Sequence, residues 1–132
     1  MMFGLWDVTR SVPTVLEGNE SEPVAAEFKY SAEEPYAVTA VFTARDVDVE
    51  WTFARDLLSD GLLSSVGDGD VLVTPDASGR VKLILRSPEG AAALLCERSA
   101  IASFVEQMFT LVPAGEETAR LDLDGLITEL TA

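Results

Sequence analysis

The stretch that decides the fold is residues 35–62, which read PYAVTAVFTARDVDVEWTFARDLLSDGL. Apolar side chains occupy every second position in both halves: Tyr36, Val38, Ala40 and Phe42, then Val47, Val49, Trp51 and Phe53. A period of two places such side chains on one face of a strand. Arg45 and Asp46 form the short polar connection between the halves. The stretch therefore predicts an antiparallel hairpin of residues 36–43 and 47–53, half-buried, with Trp51 in the core.

The sequence before this hairpin predicts weaker β-structure. Residues 5–16 are apolar but interrupted by Pro13, which predicts an edge strand or two short strands, since proline cannot donate to a ladder. Residues 17–23 (EGNESEP) predict the first loop, and residues 25–30 predict a short strand.

After the hairpin, residues 54–59 predict a short helix that ends at Gly61. Residues 70–74 and 80–86 predict a second hairpin across the turn 76–79, and residues 91–97 predict a strand. Ser99 is a plausible N-cap of an amphipathic helix that ends before Pro113. Its apolar face comprises Ile101, Phe104, Val105, Met108 and Val112. A shorter C-terminal helix is predicted from Leu123, Leu126, Ile127 and Leu130, with Asp122 as its cap.

These elements predict one α+β domain over residues 1–132, least defined over residues 1–23. It comprises antiparallel β-sheets, a short mid-chain helix, a long late helix and a C-terminal helix. Hydrophobic residues make up 48% of the chain, which favours burial of apolar surface against another subunit.

Composition argues against most catalytic and nucleic-acid-binding classes. The chain has no histidine, which excludes histidine-based catalysis and histidine zinc sites, and its single cysteine excludes an internal disulfide. Its formal net charge of −14 opposes binding to nucleic acid or to anionic membranes. No signal peptide or membrane span is recognisable, so we expect a cytoplasmic protein without catalytic residues, metal or cofactor.

Motifs that suggest ligand sites have simpler explanations. Residues 67–70 (GDGD) lack the lysine of a phosphate-binding loop, and residues 122–125 (DLDG) lack the later ligands of a calcium loop. A turn and a helix cap are favoured instead. Cys96 alternates with Leu94 on an apolar strand, so a buried structural thiol is expected rather than a reactive one.

Arg55 is the one charged residue whose position requires an explanation. It falls in the first turn of its predicted helix, where a cation is disfavoured by about 0.3–1 kcal/mol. Two interpretations remain open. Arg55 forms an internal ion pair, with Glu50 or Asp56 as partner, or it lies at an interface with another protein chain. Arg55, Asp56 and Glu50 are therefore the candidate interaction residues. An exposed internal pair would contribute at most about 1 kcal/mol.

The order of several blocks resembles the SsgA-like proteins, small actinobacterial proteins that govern sporulation-specific cell division. The most specific block is residues 50–58, Glu-Trp-x-Phe-Ala-Arg-Asp-Leu-Leu. The turns at residues 67–75, 87–90 and 112–117 follow in the same order, and the resemblance runs from about residue 24 to residue 130. Residues 3–22 match poorly, and residues 106–108 (EQM) are basic in some members, which leaves the branch of the family open.

The resemblance implies a fold similar to the Whirly type, assembly as a homotrimer, and localisation at the division septum. It implies a non-catalytic adaptor that helps to site or assemble the septum and recruits FtsZ, with other SsgA-like or divisome proteins as further partners. The Whirly-like fold raises one alternative, a single-stranded nucleic-acid-binding module, which the acidic charge disfavours. Neither nucleic acid nor direct membrane insertion is expected.

Overall fold

The computed structural model describes residues 6–117, apart from the side chain of Asp68. It contains nine strands and two helices over this range. The strands are β1 Val8–Ser11, β2 Thr14–Leu16, β3 Asn19–Tyr30, β4 Ala37–Ala44, β5 Val47–Ala54, β6 Val66–Asp68, β7 Val71–Pro75, β8 Val81–Ser87 and β9 Gly90–Cys96. The helices are α1 Arg55–Asp60 and α2 Arg98–Leu111. The α+β class is confirmed, while the predicted C-terminal helix lies outside the described residues.

The central hairpin forms as predicted, between β4 and β5, from Ala37 opposite Ala54 to Ala44 opposite Val47. Arg45 and Asp46 both have positive φ, 52° and 63°, as a two-residue hairpin turn requires. The predicted burial is correct for Val38, Ala40, Phe42 and Phe53, and wrong for Tyr36, which is 46% exposed. Val47 and Val49 are also exposed, because they extend beyond the core, whereas Trp51 is partly buried and packs against it.

The strands β1 and β2 lie end to end along β3 and share one register as far as Val15, after which the register shifts at Leu16. Ser11 pairs with Glu27 and Thr14 with Val24, and the Val12 N–H donates to the Ala26 carbonyl at 3.0 Å between them. The prediction of two short strands broken near Pro13 is thus confirmed. The predicted loop over residues 17–23 is confirmed only for residues 17 and 18, which form a turn, and is wrong for residues 19–23, because β3 already begins at Asn19. The polar residues at the start of β3 are mostly exposed to solvent. Their polarity therefore indicates an exposed strand and not a loop.

The pairing of β2 joins the two halves of the structure. Its other edge pairs with β9, so the predicted separate sheet segments form one antiparallel sheet in the order β5-β4-β3-β2-β9-β8-β7-β6. The second hairpin is confirmed as β7 and β8, followed by β9. The sheet curves into a half-barrel around a core that includes Phe28. Its ring meets Phe42 and Phe104 edge-on, at centroid distances of 6.0 and 5.8 Å.

The long helix α2 supplies the core with the apolar face that its spacing predicts. Ile101, Phe104 and Met108 are fully buried. The predicted N-cap Ser99 is wrong, because the cap position is Glu97 and the helix begins at Arg98. The Glu97 N–H still donates to the Pro13 carbonyl at 2.9 Å, so strand pairing continues up to the helix start. Neither helix between residues 6 and 117 is long and apolar enough to cross a membrane.

The other helix, α1, ends where a glycine permits close packing. Gly61 is the C-cap with ordinary helical angles (φ −66°, ψ −13°), so its backbone does not itself require glycine. A Cβ at this position would lie 2.5 Å from the Val73 Cβ and 3.0 Å from the Leu57 carbonyl oxygen. Contact with β7 therefore selects glycine here.

We expect Gly61→Ala to lower the free energy of unfolding by about 1–3 kcal/mol, the usual cost of overpacking a core. The double variant Gly61→Ala/Val73→Ala should lose less than the sum of the two single variants, because removing the Val73 methyls relieves the part of the clash that its Cγ1 makes, although the Cβ remains. Urea denaturation of all four proteins measures this coupling. Additive losses would contradict the steric explanation.

Candidate functional site

The three candidate interaction residues do not form one site. Arg55 is the first residue of α1, and its side chain is 1% exposed. Glu50 lies on β5 and Asp56 in the first turn of α1, and both are exposed to solvent. The internal ion pair expected for Arg55 exists, but its partner is neither Glu50 nor Asp56. It is Glu117, 62 residues further along the chain.

The guanidinium of Arg55 has three hydrogen-bond partners. Its Nη2 donates to Glu117 Oε2 at 2.7 Å, and its Nη1 donates to the Val112 carbonyl at 2.6 Å and to the Tyr30 hydroxyl at 3.2 Å. The Phe109 ring stacks against it, with 3.9 Å between the guanidinium carbon and the ring centroid. We call Arg55, Tyr30, Phe109, Val112 and Glu117 the Arg55 cluster. The Nε of Arg55 is buried without a partner in the described structure.

The Arg55 cluster resolves the unfavourable position of this cation in α1. Its guanidinium leaves its own helix and reaches Val112, the C-cap residue of α2. A helix C-terminus carries unpaired carbonyls and partial negative charge, which a cation stabilises. The unfavourable position of the cation at the start of α1 is thus offset by its favourable contact with the end of α2. Arginine suits this place better than lysine, because its planar fork serves a carboxylate, a carbonyl and an aromatic face together.

The carboxyl of Glu117 is tuned to remain ionised. Its own backbone N–H hydrogen-bonds to the carboxylate and lowers its pKa, and the hydrogen bond and charge of Arg55 lower it further against the opposing effect of burial. Arg55 and Glu117 therefore neutralise each other's charge. The Arg55 cluster is a clamp that fastens the β5–α1 junction to the end of α2. The interaction role assigned to Arg55, Asp56 and Glu50 stays a prediction.

Sequence reasoning missed the members of the cluster other than Arg55. No spacing rule connects Arg55 with Glu117, and Tyr30 had been assigned only to a strand. The one signal available was Arg55 itself, a cation in a first helical turn that needed a distant partner.

The end of the β4–β5 hairpin exposes apolar side chains to solvent. Val47 and Val49 are 60% and 46% exposed. Val49 and Trp51, with Phe42 from β4, line one wall of an open groove of about 350 Å³. The β8–β9 hairpin supplies the opposite wall, through residues that include Leu85 and Ala92. We call this the β5 groove. Glu50 lies on the same strand, and its side chain is on the opposite face of the sheet.

Two other sequence motifs have the simple roles expected of them. Residues 67 and 68 end β6, and Gly69 and Asp70 form the turn to β7, with Gly69 at a φ of +61°. Cys96 is fully buried, and its Sγ accepts a hydrogen bond from the Thr14 hydroxyl at 3.5 Å. Burial raises the pKa of this thiol to about 11, so the thiol is protonated at neutral pH. Within residues 6–117 no group of histidine, cysteine or acidic residues is arranged to hold a metal ion.

Carboxylates lie beside most of the cations. Five of them lie within 4.0 Å of an acidic side chain: Lys29, Arg45, Arg55, Arg80 and Lys82. Arg98 donates to the Leu62 carbonyl at 2.6 Å. Local pairing therefore removes most of the positive charge that a phosphate-binding groove would need.

Comparison with known proteins gives consistent matches over most of the chain. Residues 24–117 match the model of the family described as Streptomyces sporulation and cell division protein, SsgA. The chain is 48% identical over 115 residues to the sporulation-specific cell division protein SsgB of Kineococcus radiotolerans, covering 83% of this chain and 70% of that protein. It is 42% identical to the SsgB of Streptomyces coelicolor, over 89% of each chain.

The fold is also similar to a solved structure. The crystal structure of an SsgA-like sporulation-specific cell division protein from Thermobifida fusca superposes with a TM-score of 0.83. The two sequences are 35% identical, and the match covers 92% of this chain and 93% of the other.

The Arg55 cluster predicts a larger loss on mutation than an exposed pair would give. Arg55→Ala should lower the free energy of unfolding by about 3–5 kcal/mol, because it leaves a carboxylate and a helix end without their cation. Arg55→Lys should recover only part of this loss. Arg55→Met/Glu117→Gln should be more stable than the sum of its single variants predicts, since no unpaired charge remains. Chemical denaturation of these three variants and of the single variants Arg55→Met and Glu117→Gln measures the losses, and a loss below about 1 kcal/mol for Arg55→Ala would contradict the cluster.

The same pair predicts a pH dependence. Because the pKa of Glu117 is lower in the folded protein than its ordinary value of 4.5, the ionised carboxylate stabilises the fold fully above pH 4.5. This contribution is lost as the pH falls through the lower, folded pKa. The stability advantage of the wild-type protein over Glu117→Gln should therefore be constant near neutral pH and shrink below pH 4.5. Parallel pH profiles of the two proteins would contradict the assignment.

Proposed function

This chain belongs to the SsgA family of sporulation and cell division proteins, and on that premise we propose that it acts in sporulation-specific cell division as a non-catalytic adaptor. In this role it helps to site or assemble the septum and recruits FtsZ. The observation that carries the proposal is the similarity, over 83–89% of the chain, to proteins named sporulation-specific cell division protein SsgB.

The described surface supports an adaptor rather than an enzyme or a nucleic-acid-binding module. Its one notable buried ion pair holds the fold together, and its cysteine is protonated and enclosed. What remains accessible is acidic surface and the apolar β5 groove, and such features suit recognition of other proteins. The nucleic-acid alternative would need a basic groove. The ion pairing of the cations weakens that alternative, so we do not propose it.

We further propose that the chain assembles as a homotrimer at the division septum. The exposed Val47 and Val49 are apolar side chains of the kind that subunit contacts bury. Light scattering should give three chain masses at micromolar concentration. Replacing both valines with threonine, which keeps their shape and β-branching, should shift the mass toward the monomer if this surface joins subunits.

The adaptor role is tested by imaging a fluorescent fusion beside FtsZ in a sporulating actinobacterial host that lacks its own copy. We expect the fusion to form regularly spaced bands before or with FtsZ and to restore septation. The variant Glu50→Gln/Asp56→Asn should slow recruitment of FtsZ, because it removes two exposed carboxylates that we propose as contacts for a basic partner surface.

Asp70→Asn/Glu33→Gln is the matched control, because it also removes two exposed carboxylates, so both double variants have the same net charge. It should behave as the wild-type protein does. Equal effects of the two double variants would show that Glu50 and Asp56 have no special role. Diffuse fluorescence of the wild-type fusion throughout septation would refute the adaptor role itself.

A further inference from the structure

The strand β1 has one paired edge and one unpaired edge. Its pairing with β3 places Val8 opposite Tyr30 and Arg10 opposite Phe28, and the Val12 N–H donates to the Ala26 carbonyl. In an antiparallel ladder, alternate residues bond to the same neighbour. The backbone groups of Val8, Arg10 and Val12 therefore face β3. Those of Thr9 and Ser11 face the other way.

The strand β9 would pair with Thr9 and Ser11 if it continued, but it ends before it reaches them. β9 follows β2 as far as Thr14 opposite Cys96, and the last bond of this ladder runs from the Glu97 N–H to the Pro13 carbonyl. At Arg98 the chain enters α2 instead of continuing along β1. Within residues 6–117, two N–H groups and two carbonyls of an exposed strand are thus left without a backbone partner.

The helix α2 packs against β1, and an open groove of about 690 Å³ lies between the start of this strand and the outer face of the helix. Of the two outward-facing residues, Thr9 lines this groove and Ser11 does not. One wall is the start of β1, Asp7 to Thr9, and the other is the outer face of α2 with Glu106, Gln107, Thr110 and Leu111. The lining includes two carboxylates and no lysine or arginine, since Arg10, the cation of β1, is not part of it. Leu111 at one end is 39% exposed and offers an apolar contact.

We propose that this groove binds an extended, basic segment of a partner protein, which adds to β1 as a further strand. Unpaired N–H and carbonyl groups on a strand edge select an extended chain, because only a strand meets both at the required spacing. The carboxylates of Glu106 and Asp7 select basic side chains, although Asp7 Oδ2 also accepts from the Ala32 N–H at 2.8 Å. Leu111 and the partly buried Val8 accept apolar side chains.

Charge argues against the other possible occupants. A second copy of this chain carries a net charge of −14, and residues 118–132 contain three acidic residues and one arginine. Either would bring negative charge against Asp7 and Glu106. The inference goes beyond the proposed septal role, because it depends only on the edge of β1 and holds whichever protein supplies the segment.

Amide hydrogen exchange, read residue by residue by NMR, tests the proposal directly. In the protein alone, the amides of Val8, Arg10 and Val12 should be protected and those of Thr9 and Ser11 should exchange rapidly. A short peptide of alternating lysine and valine, added at about 0.15 M salt to screen unspecific attraction, should protect Thr9 and Ser11. If these two amides are already protected without peptide, the chain or a second copy occupies the edge, and the proposal is wrong.

Binding of the labelled peptide, measured by fluorescence anisotropy, separates backbone pairing from charge. Thr9→Pro removes an edge N–H that the fold does not use, so it should weaken binding about tenfold, the value of one to two hydrogen bonds. Thr9→Ala keeps the N–H and should bind as the wild-type protein does. A glutamate–valine peptide should not bind. Methylation of alternate backbone nitrogens in the lysine–valine peptide removes the N–H groups that would pair with β1. If this peptide binds as tightly as the unmethylated one, the interaction depends on charge alone and the proposal is wrong.

Discussion

The buried guanidinium of Arg55 is the interaction on which the arrangement of the helices depends. This side chain of α1 is 1% exposed, and its hydrogen-bond partners come from β3 (Tyr30), the end of α2 (Val112) and the segment that follows it (Glu117). A buried pair of charges adds little net stability compared with apolar residues of similar size. Its effect is on specificity instead, since only one placement of α2 brings the Val112 carbonyl and Glu117 to this cation.

The second constraint is the continuous pairing of β1 and β2 along β3. A single register runs across the break at Pro13, while the opposite edge pairs with β9 only over β2. The proline lies where its missing N–H is harmless, because the carbonyl alone is used, by Glu97. The same break lets β9 depart and α2 begin. Near Pro13, therefore, the two halves of the sheet join, the long helix begins and one edge of β1 is left open.

The arrangement of charge links this fold to its proposed role. Most described cations lie beside carboxylates of the chain itself, so the remaining surface is dominated by unpaired acids. Such a surface repels nucleic acid and favours basic protein partners. Where apolar side chains remain exposed, at the β5 groove and beside α2, they lie next to acidic residues. Both surfaces combine apolar contact with charge, which is typical of protein recognition.

Local patterns in the sequence were sufficient for the β4–β5 and β7–β8 hairpins, α1 and the apolar face of α2, because strand period, turn residues and helical spacing are properties of neighbouring residues. They also implied that Arg55 needed a partner and that Cys96 was a buried structural residue. Only the tertiary structure decided that this partner is Glu117, that residues 19–23 extend β3, that Val47 and Val49 remain exposed, and that one edge of β1 is open. Each of these depends on which distant strand or helix arrives alongside, and no periodicity within a segment contains that information.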